Sequence, residues 1–185
     1  MDYGEDPLVN EERGTAPSGR RLTTPEQWRA HLNTDGAAAA PGGRAPEEWS
    51  GHGPATDEQI ERAERRLGLR TPLPPSYRAF LAATDGWDEL GLWCGRALSA
   101  HEVQWLATAR PYLGGFYEDD EVYGPLLESA LVLNEGEDLW LLDPREAGAD
   151  GEWAAYLFQV KYGDFDRADS FSDLWHHHDS RLARW

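Results

Sequence analysis

Three shortages frame this 185-residue sequence. It has a single cysteine, Cys94, so no internal disulfide can form and a reducing, cytoplasmic setting is expected. It has no apolar run near the roughly 20 residues that a membrane span needs, and its opening residues, MDYGEDPLVNEERG, carry acid where an export signal carries basic charge and an apolar stretch. It is also short of basic residues: 17 Lys and Arg face 34 Asp and Glu, a formal net charge of −17. Phosphate contacts need clustered cations that release counterions, so nucleic acid is excluded as a partner class.

What the chain has instead is acid and rings. Between Tyr117 and Glu152 there are twelve acidic residues and one basic residue, Arg145, so eleven of the 17 net negative charges fall in that stretch. A field of one sign steers a basic partner and raises association rates by ~10–10³. Nine Trp and seven Tyr supply large apolar area for a core.

Residues 1–21 lack hydrophobic periodicity and read as a disordered tail. TTPEQWRAHL follows, with Thr24 as N-cap, Pro25 at the first helical position, Gln27 closing a capping box, and Trp28 and Leu32 on the sticky face. The Ala-, Gly- and Pro-rich stretch up to Ala55 reads as a linker, with Trp49 as a possible anchor, so 22–55 is an N-terminal helix with linker and 56–185 the main domain.

TDEQIERAERRLG predicts an amphipathic helix capped by Thr56 and Gln59, burying Ile60, Ala63 and Leu67, stopped by Gly68, with Glu58–Arg62 and Glu61–Arg65 on the wet face. After the proline break, PSYRAFLAATDGW predicts a second helix with Tyr77, Phe80, Leu81 and Thr84 on one stripe and Gly86 as its left-handed terminator. LGLWCG, SALVLN, DLWLLD and EWAAYLFQV predict strands, with NEGE as a hairpin turn and Pro144 ending pairing after Asp143. The last of these strands can cover both faces, Ala154, Tyr156, Phe158 and Val160 on one and Trp153, Ala155, Leu157 and Gln159 on the other. SFSDLWHHHDSRLARW predicts a closing helix capped by Ser170 and Asp173, with Phe171, Leu174, Trp175, His178, Leu182 and Trp185 at helical spacing.

The run IERAERRLGLRTPLPPSYRAFLAATDGW resembles the opening motif of the SUKH superfamily, the Smi/Knr cell-wall-synthesis-regulator family. The residues that carry the likeness are Glu64, Leu67, Gly68, Pro74, Pro75, Tyr77, Phe80, Leu81, Asp85, Gly86 and Trp87. LWLLDP, Leu139 to Pro144, and SFSDLW are similar to two later family elements, so the resemblance spans about residues 56–178. It implies one α+β domain without a three-layer arrangement, whose mixed, mainly antiparallel sheet is flanked by helices. It also implies a non-enzymatic role: bacterial relatives are largely immunity proteins that neutralise toxins, often nucleases, and fungal ones are signalling scaffolds.

For partner contact the foremost segment is GGFYEDDEVYG, in which Glu118, Asp119, Asp120 and Glu121 are flanked by Phe116, Tyr117 and Tyr123. Tyr and Trp are enriched at interface hot spots, and charge sets on-rate and specificity. The expected partner is a protein with a basic surface, such as a nuclease toxin whose groove the acids occupy; the plainer alternative is a solvated loop. No cofactor or metal is predicted. Adjacent helical residues such as His176, His177 and His178 point about 100° apart and cannot close on one ion, which makes them a surface stretch. His52 and His101 are isolated, Cys94 is a buried inert thiol, and the sequence holds no nucleophile elbow, phosphate loop or zinc knuckle. A carboxylate enzyme site in the acidic stretch and a regulatory scaffold remain as rival readings.

Overall fold

A computed structural model describes residues 20–38, 50–91 and 93–182. Residues 1–19 of the tail read at 1–21, residues 39–49 of the linker with Trp49, and Trp185 lie outside the described residues, while Asn33 to Ala38, read as the start of the linker, continue the first helix. The described elements are α1 (Pro25–Ala38), α2 (Asp57–Leu67), α3 (Pro75–Ala83), β1 (Arg96–Ala97), β2 (Gln104–Trp105), α4 (Leu106–Ala109), α5 (Pro111–Phe116), α6 (Tyr123–Ser129), β3 (Leu131–Val132), β4 (Asn134–Glu135), β5 (Leu139–Ala147), β6 (Trp153–Gln159), β7 (Asp164–Ala168) and α7 (Phe171–Leu182).

The sheet runs β2-β3-β5-β6-β7, with β1 and β4 as a separate two-stranded ladder, and every ladder among the described residues is antiparallel. β6 pairs with β5 on one side and β7 on the other and is buried along nearly its whole length. As its alternation predicts, Trp153, Ala155 and Leu157 enter the larger apolar cluster, while Ala154, Tyr156 and Phe158 enter a smaller one. The larger cluster takes Trp28 and Leu32 from α1, Ile60 from α2, Tyr77 and Phe80 from α3, and Phe171 and Trp175 from α7. The smaller one takes Leu106, Leu113, Leu126 and Leu127 from α4, α5 and α6. Helices thus flank the sheet on both faces, as expected of this α+β domain; the sheet is the middle of three layers, which corrects only the expectation that such layering is absent.

Local chemistry explains the elements. Thr56 and Gln59 form the capping box of α2, and Gly68, at φ 68°, carries the left-handed cap. At the proline break, the Glu64 carboxylate accepts from the Leu73 amide at 2.9 Å and from Arg78 Nη1 at 2.6 Å. The cap of α1 is as read: the Gln27 amide donates to Thr24 Oγ1 and the Thr24 amide to Gln27 Oε1. Ser170 and Asp173 cap α7 reciprocally, the Asp173 amide donating to Ser170 Oγ at 3.1 Å.

Several predicted boundaries move. α3 ends at Ala83, and Gly86, at φ 116°, does not cap it. Thr84 turns extended, and residues 50–55 run beside 84–88, joined by Asp85 N to Gly53 O at 3.0 Å and Asp88 N to Ser50 O at 2.8 Å. The positive φ of Gly86 is what demands glycine there, and a Cβ would in addition lie 2.9 Å from the His52 ring and 3.3 Å from Ala97 O. The described residues of LGLWCG form no strand: Trp93 and Cys94 sit in a turn, and pairing begins at Arg96. Pro144 does not end β5; the register slips between Asp143 and Ala147, the place for a residue that cannot donate. NEGE lies in the β3–β5 connection, but Asn134 and Glu135 also pair with β1. Asn134, buried, orders that connection by donating to Cys94 O at 2.6 Å and Asp138 O at 2.8 Å and accepting from the Trp140 amide at 2.7 Å.

Candidate functional site

Pro111 opens α5 with its φ pre-set for a helix, and two glycines end it quickly at Phe116. The chain then turns, the Asp120 amide donating to Tyr117 O at 3.0 Å, and enters α6. Asp120 Oδ1 accepts from the amides of Val122 at 2.9 Å and Tyr123 at 2.8 Å, so this acid organises the start of α6. Gly124 completes the turn, because a Cβ there would stand 2.6 Å from Tyr117 O.

The rings divide by role. Tyr123 stacks on Phe165 at 4.0 Å, Phe165 stacks on Phe158 at 4.1 Å, and Tyr117 meets both phenylalanines edge-on at 5.8 Å. Tyr117 and Tyr123 are therefore half-buried supports beneath the loop, and burial, with Asp120 and Asp164 nearby, raises the Tyr117 hydroxyl pKa. Phe116 is 78% exposed. Glu118, Asp119 and Glu121 are exposed, and with Asp120, Gly124, Pro125 and Glu128 they line an open depression of about 200 Å³. Of the seven residues singled out in this segment, the structure gathers four outward (Phe116, Glu118, Asp119, Glu121) and turns Tyr117, Asp120 and Tyr123 to its support.

The other residues that sequence reasoning considered have structural partners. The histidines of α7 are half-buried, which corrects their expected place on an open surface: His178 Nε2 contacts the Leu90 carbonyl and its ring meets Trp140 at 5.1 Å, and His176 meets His31 at 4.8 Å. His52 Nε2 bonds Asp88 at 2.8 Å, and His101 Nδ1 bonds Ser99 Oγ at 2.8 Å. Cys94 is buried, which pushes its thiol up to about 11, against a smaller opposing effect of Trp140. Asp85 Oδ1 accepts from the Ala100 amide at 2.6 Å, and Asp143, fully buried, is chelated by Arg145. No group of three or more potential metal ligands occurs among the described residues, and none of the described helices is long and apolar enough to cross a membrane.

Two buried or networked carboxylates were not singled out in the sequence. Glu152, 3% exposed, accepts from Ser76 N at 2.9 Å and Ser76 Oγ at 2.7 Å, which caps α3 from across the fold. Glu102 takes two bonds from Arg96, at 2.9 and 2.7 Å, and two from Ser99, at 3.1 and 2.6 Å. Ser76 and Glu152 lie 76 residues apart, beyond any spacing rule, whereas Ser99 and Glu102 stand at the Ser-x-x-Glu spacing of a capping box, the local signal that could have found Glu102.

The SMI1 / KNR4 family (SUKH-1) model matches residues 54–175. The chain belongs to this family. No curated protein matches it. Within the matched interval of the SUKH-1 chain, Glu64, Gly68, Tyr77, Phe80, Asp85 and Trp87 all serve caps, clasps or the larger cluster. The motif thus accounts for the scaffold, and the outward residues of the α5–α6 turn belong to a separate surface.

Proposed function

We propose that this SUKH-1 chain is a non-catalytic protein-binding module, an immunity protein that acts in the cytoplasm by occluding a cognate toxin of a bacterial polymorphic toxin system. The observation that carries the reading is the α5–α6 turn: three exposed carboxylates and an exposed phenylalanine on backbone already fixed by Asp120 and the Tyr117–Phe158–Phe165–Tyr123 ring cluster. A turn held in place before contact loses little conformational freedom on docking. Its sign suits a basic face, and a nuclease groove is basic because it holds phosphate. Family membership and the net charge of −17 point the same way.

Co-expression with each toxin domain encoded beside the gene tests the role by growth rescue. Rescue by one of them is expected, and the variant Glu118→Gln/Asp119→Asn/Glu121→Gln, which spares Asp120, is expected to slow association with that toxin by ~10–10³ while leaving folding intact. Failure of rescue with every neighbour overturns the immunity role in favour of a scaffold, and an unchanged association rate removes this turn from the interface.

A further inference from the structure

Four turns meet at one end of the sheet. The Trp93 carbonyl accepts from the amides of Glu137 at 2.8 Å and Asp138 at 3.0 Å, which sets the 93–94 turn against the tip of the β3–β5 connection. The contact is so close that a Cβ on Gly136 would stand 2.5 Å from Trp93 O. Asp138 in turn bonds the Val160 backbone, at the start of the β6–β7 turn. That turn, closed by Tyr162 N to Gln159 O at 3.0 Å, brings Gly163 to within 3.1 Å of the Tyr117 hydroxyl, measured from the position a Cβ would take. The row therefore runs from Trp93 through Glu137, Asp138 and Tyr162 to Tyr117 and the acidic turn.

Large apolar side chains stay exposed along it: Trp93 at 58%, Tyr162 at 68% and Phe116 at 78%. Exposed acids alternate with them, at Glu137, Asp164, Glu118 and Asp119. One of these rings already carries a cation, since Nζ of Lys161, the only lysine in the sequence, lies 5.5 Å from the Tyr162 centroid. Indole and phenol faces attract guanidinium groups in this way, and neighbouring carboxylates bind the same groups through paired hydrogen bonds.

We propose that this end of the sheet, with Trp93 and Tyr162 as anchors, docks the arginine side chains of a basic protein partner. It extends the acidic turn into a continuous surface and rests on the reading of the chain as a protein binder. Guanidinium suits the surface better than ammonium, because a planar, weakly hydrated cation stacks on a ring while meeting a carboxylate edge-on. Trp93 and Tyr162 are ring anchors of the kind enriched among hot-spot residues, and the acids interleave with them along the row.

The probe is an end-capped arginine nonapeptide at low salt, with fluorescence anisotropy for affinity and amine acylation of Lys161 as a footprint. Binding is expected to shield Lys161, and Trp93→Ala/Tyr162→Ala is expected to raise Kd by ~10-fold, the loss of two ring–cation contacts. A lysine nonapeptide of equal charge is expected to bind more weakly, and Glu58→Gln/Glu61→Gln on α2 is expected to leave affinity unchanged. An unshielded Lys161, equal affinity for the two peptides, or equal loss in the α2 variant would overturn the proposal by showing attraction spread over the whole acidic surface. The readout is independent of toxin rescue: rescue without this footprint removes the patch alone, and the footprint without rescue removes the immunity role alone.

Discussion

Trp28 Nε1 donates to the Ser76 carbonyl at 2.9 Å, a hydrogen bond spanning 48 residues that ties α1 to the first turn of α3. The indole is fully buried and meets Phe80, Phe171 and Trp175 at 5.3 to 5.4 Å. Trp28→Ala is expected to cost ~3–5 kcal/mol, and Trp28→Phe less, since the smaller ring leaves part of the cavity filled. Urea midpoints measure both.

Glu102 is held well below the usual carboxylate range, first by its hydrogen bonds from Arg96 and then by those from Ser99, against the opposing effect of burial. Its contribution is fully present above the unfolded carboxylate value and is lost as pH falls through the folded value. The native chain should therefore lose stability on acidification, and Glu102→Gln should be less stable at neutral pH with a flatter acid limb. Denaturant midpoints taken across the acid range check the slope.

Glu152 moves the other way. Burial raises its pKa, and the bonds from Ser76 only partly offset that. Between the ordinary carboxylate value and the raised one the folded state binds more proton, so here stability falls as pH rises. Glu152→Gln should remove this component, and Glu152→Ala, which strands the Ser76 amide and hydroxyl, should cost ~1–3 kcal/mol. Thermal melts at several pH values separate the two variants.

Two glycines with similar φ should respond differently. Gly68 has open space where a Cβ would go, so Gly68→Ala costs only its left-handed backbone, ~1 kcal/mol. At Gly95, φ 65°, a Cβ would stand 2.3 Å from Glu135 O, so Gly95→Ala should cost more than ~2 kcal/mol and loosen the β1–β4 ladder. Denaturant midpoints with amide exchange at Ala97 and Asn134 report both effects.

Legibility followed the range of the forces. α2 was readable because its caps, its buried Ile60, Ala63 and Leu67 and its stop at Gly68 all lie within one short window. β6 was readable from alternation, and the shared motif from Glu64 to Trp87 led to the family. The short α4, α5 and α6 escaped because LATA, PYLGGF and YGPLLES have too few turns for a periodic signal and carry Gly and Pro; packing on Phe158 and Phe165 makes them helical. At the candidate site the acids were visible in composition. The division of the rings into exposed Phe116 and supporting Tyr117 and Tyr123 was not, nor was the placing of the Trp93 and Tyr162 turns at one end of the sheet, since both depend on which turns the sheet register brings together.

Because β6 sends Trp153, Ala155 and Leu157 one way and Ala154, Tyr156 and Phe158 the other, the two apolar clusters share a wall without sharing side chains. A substitution that opens a cavity among the α4–α6 residues therefore leaves the side chains of the tryptophan-rich cluster with their own neighbours, and damage on one face of the sheet reaches the other through its backbone.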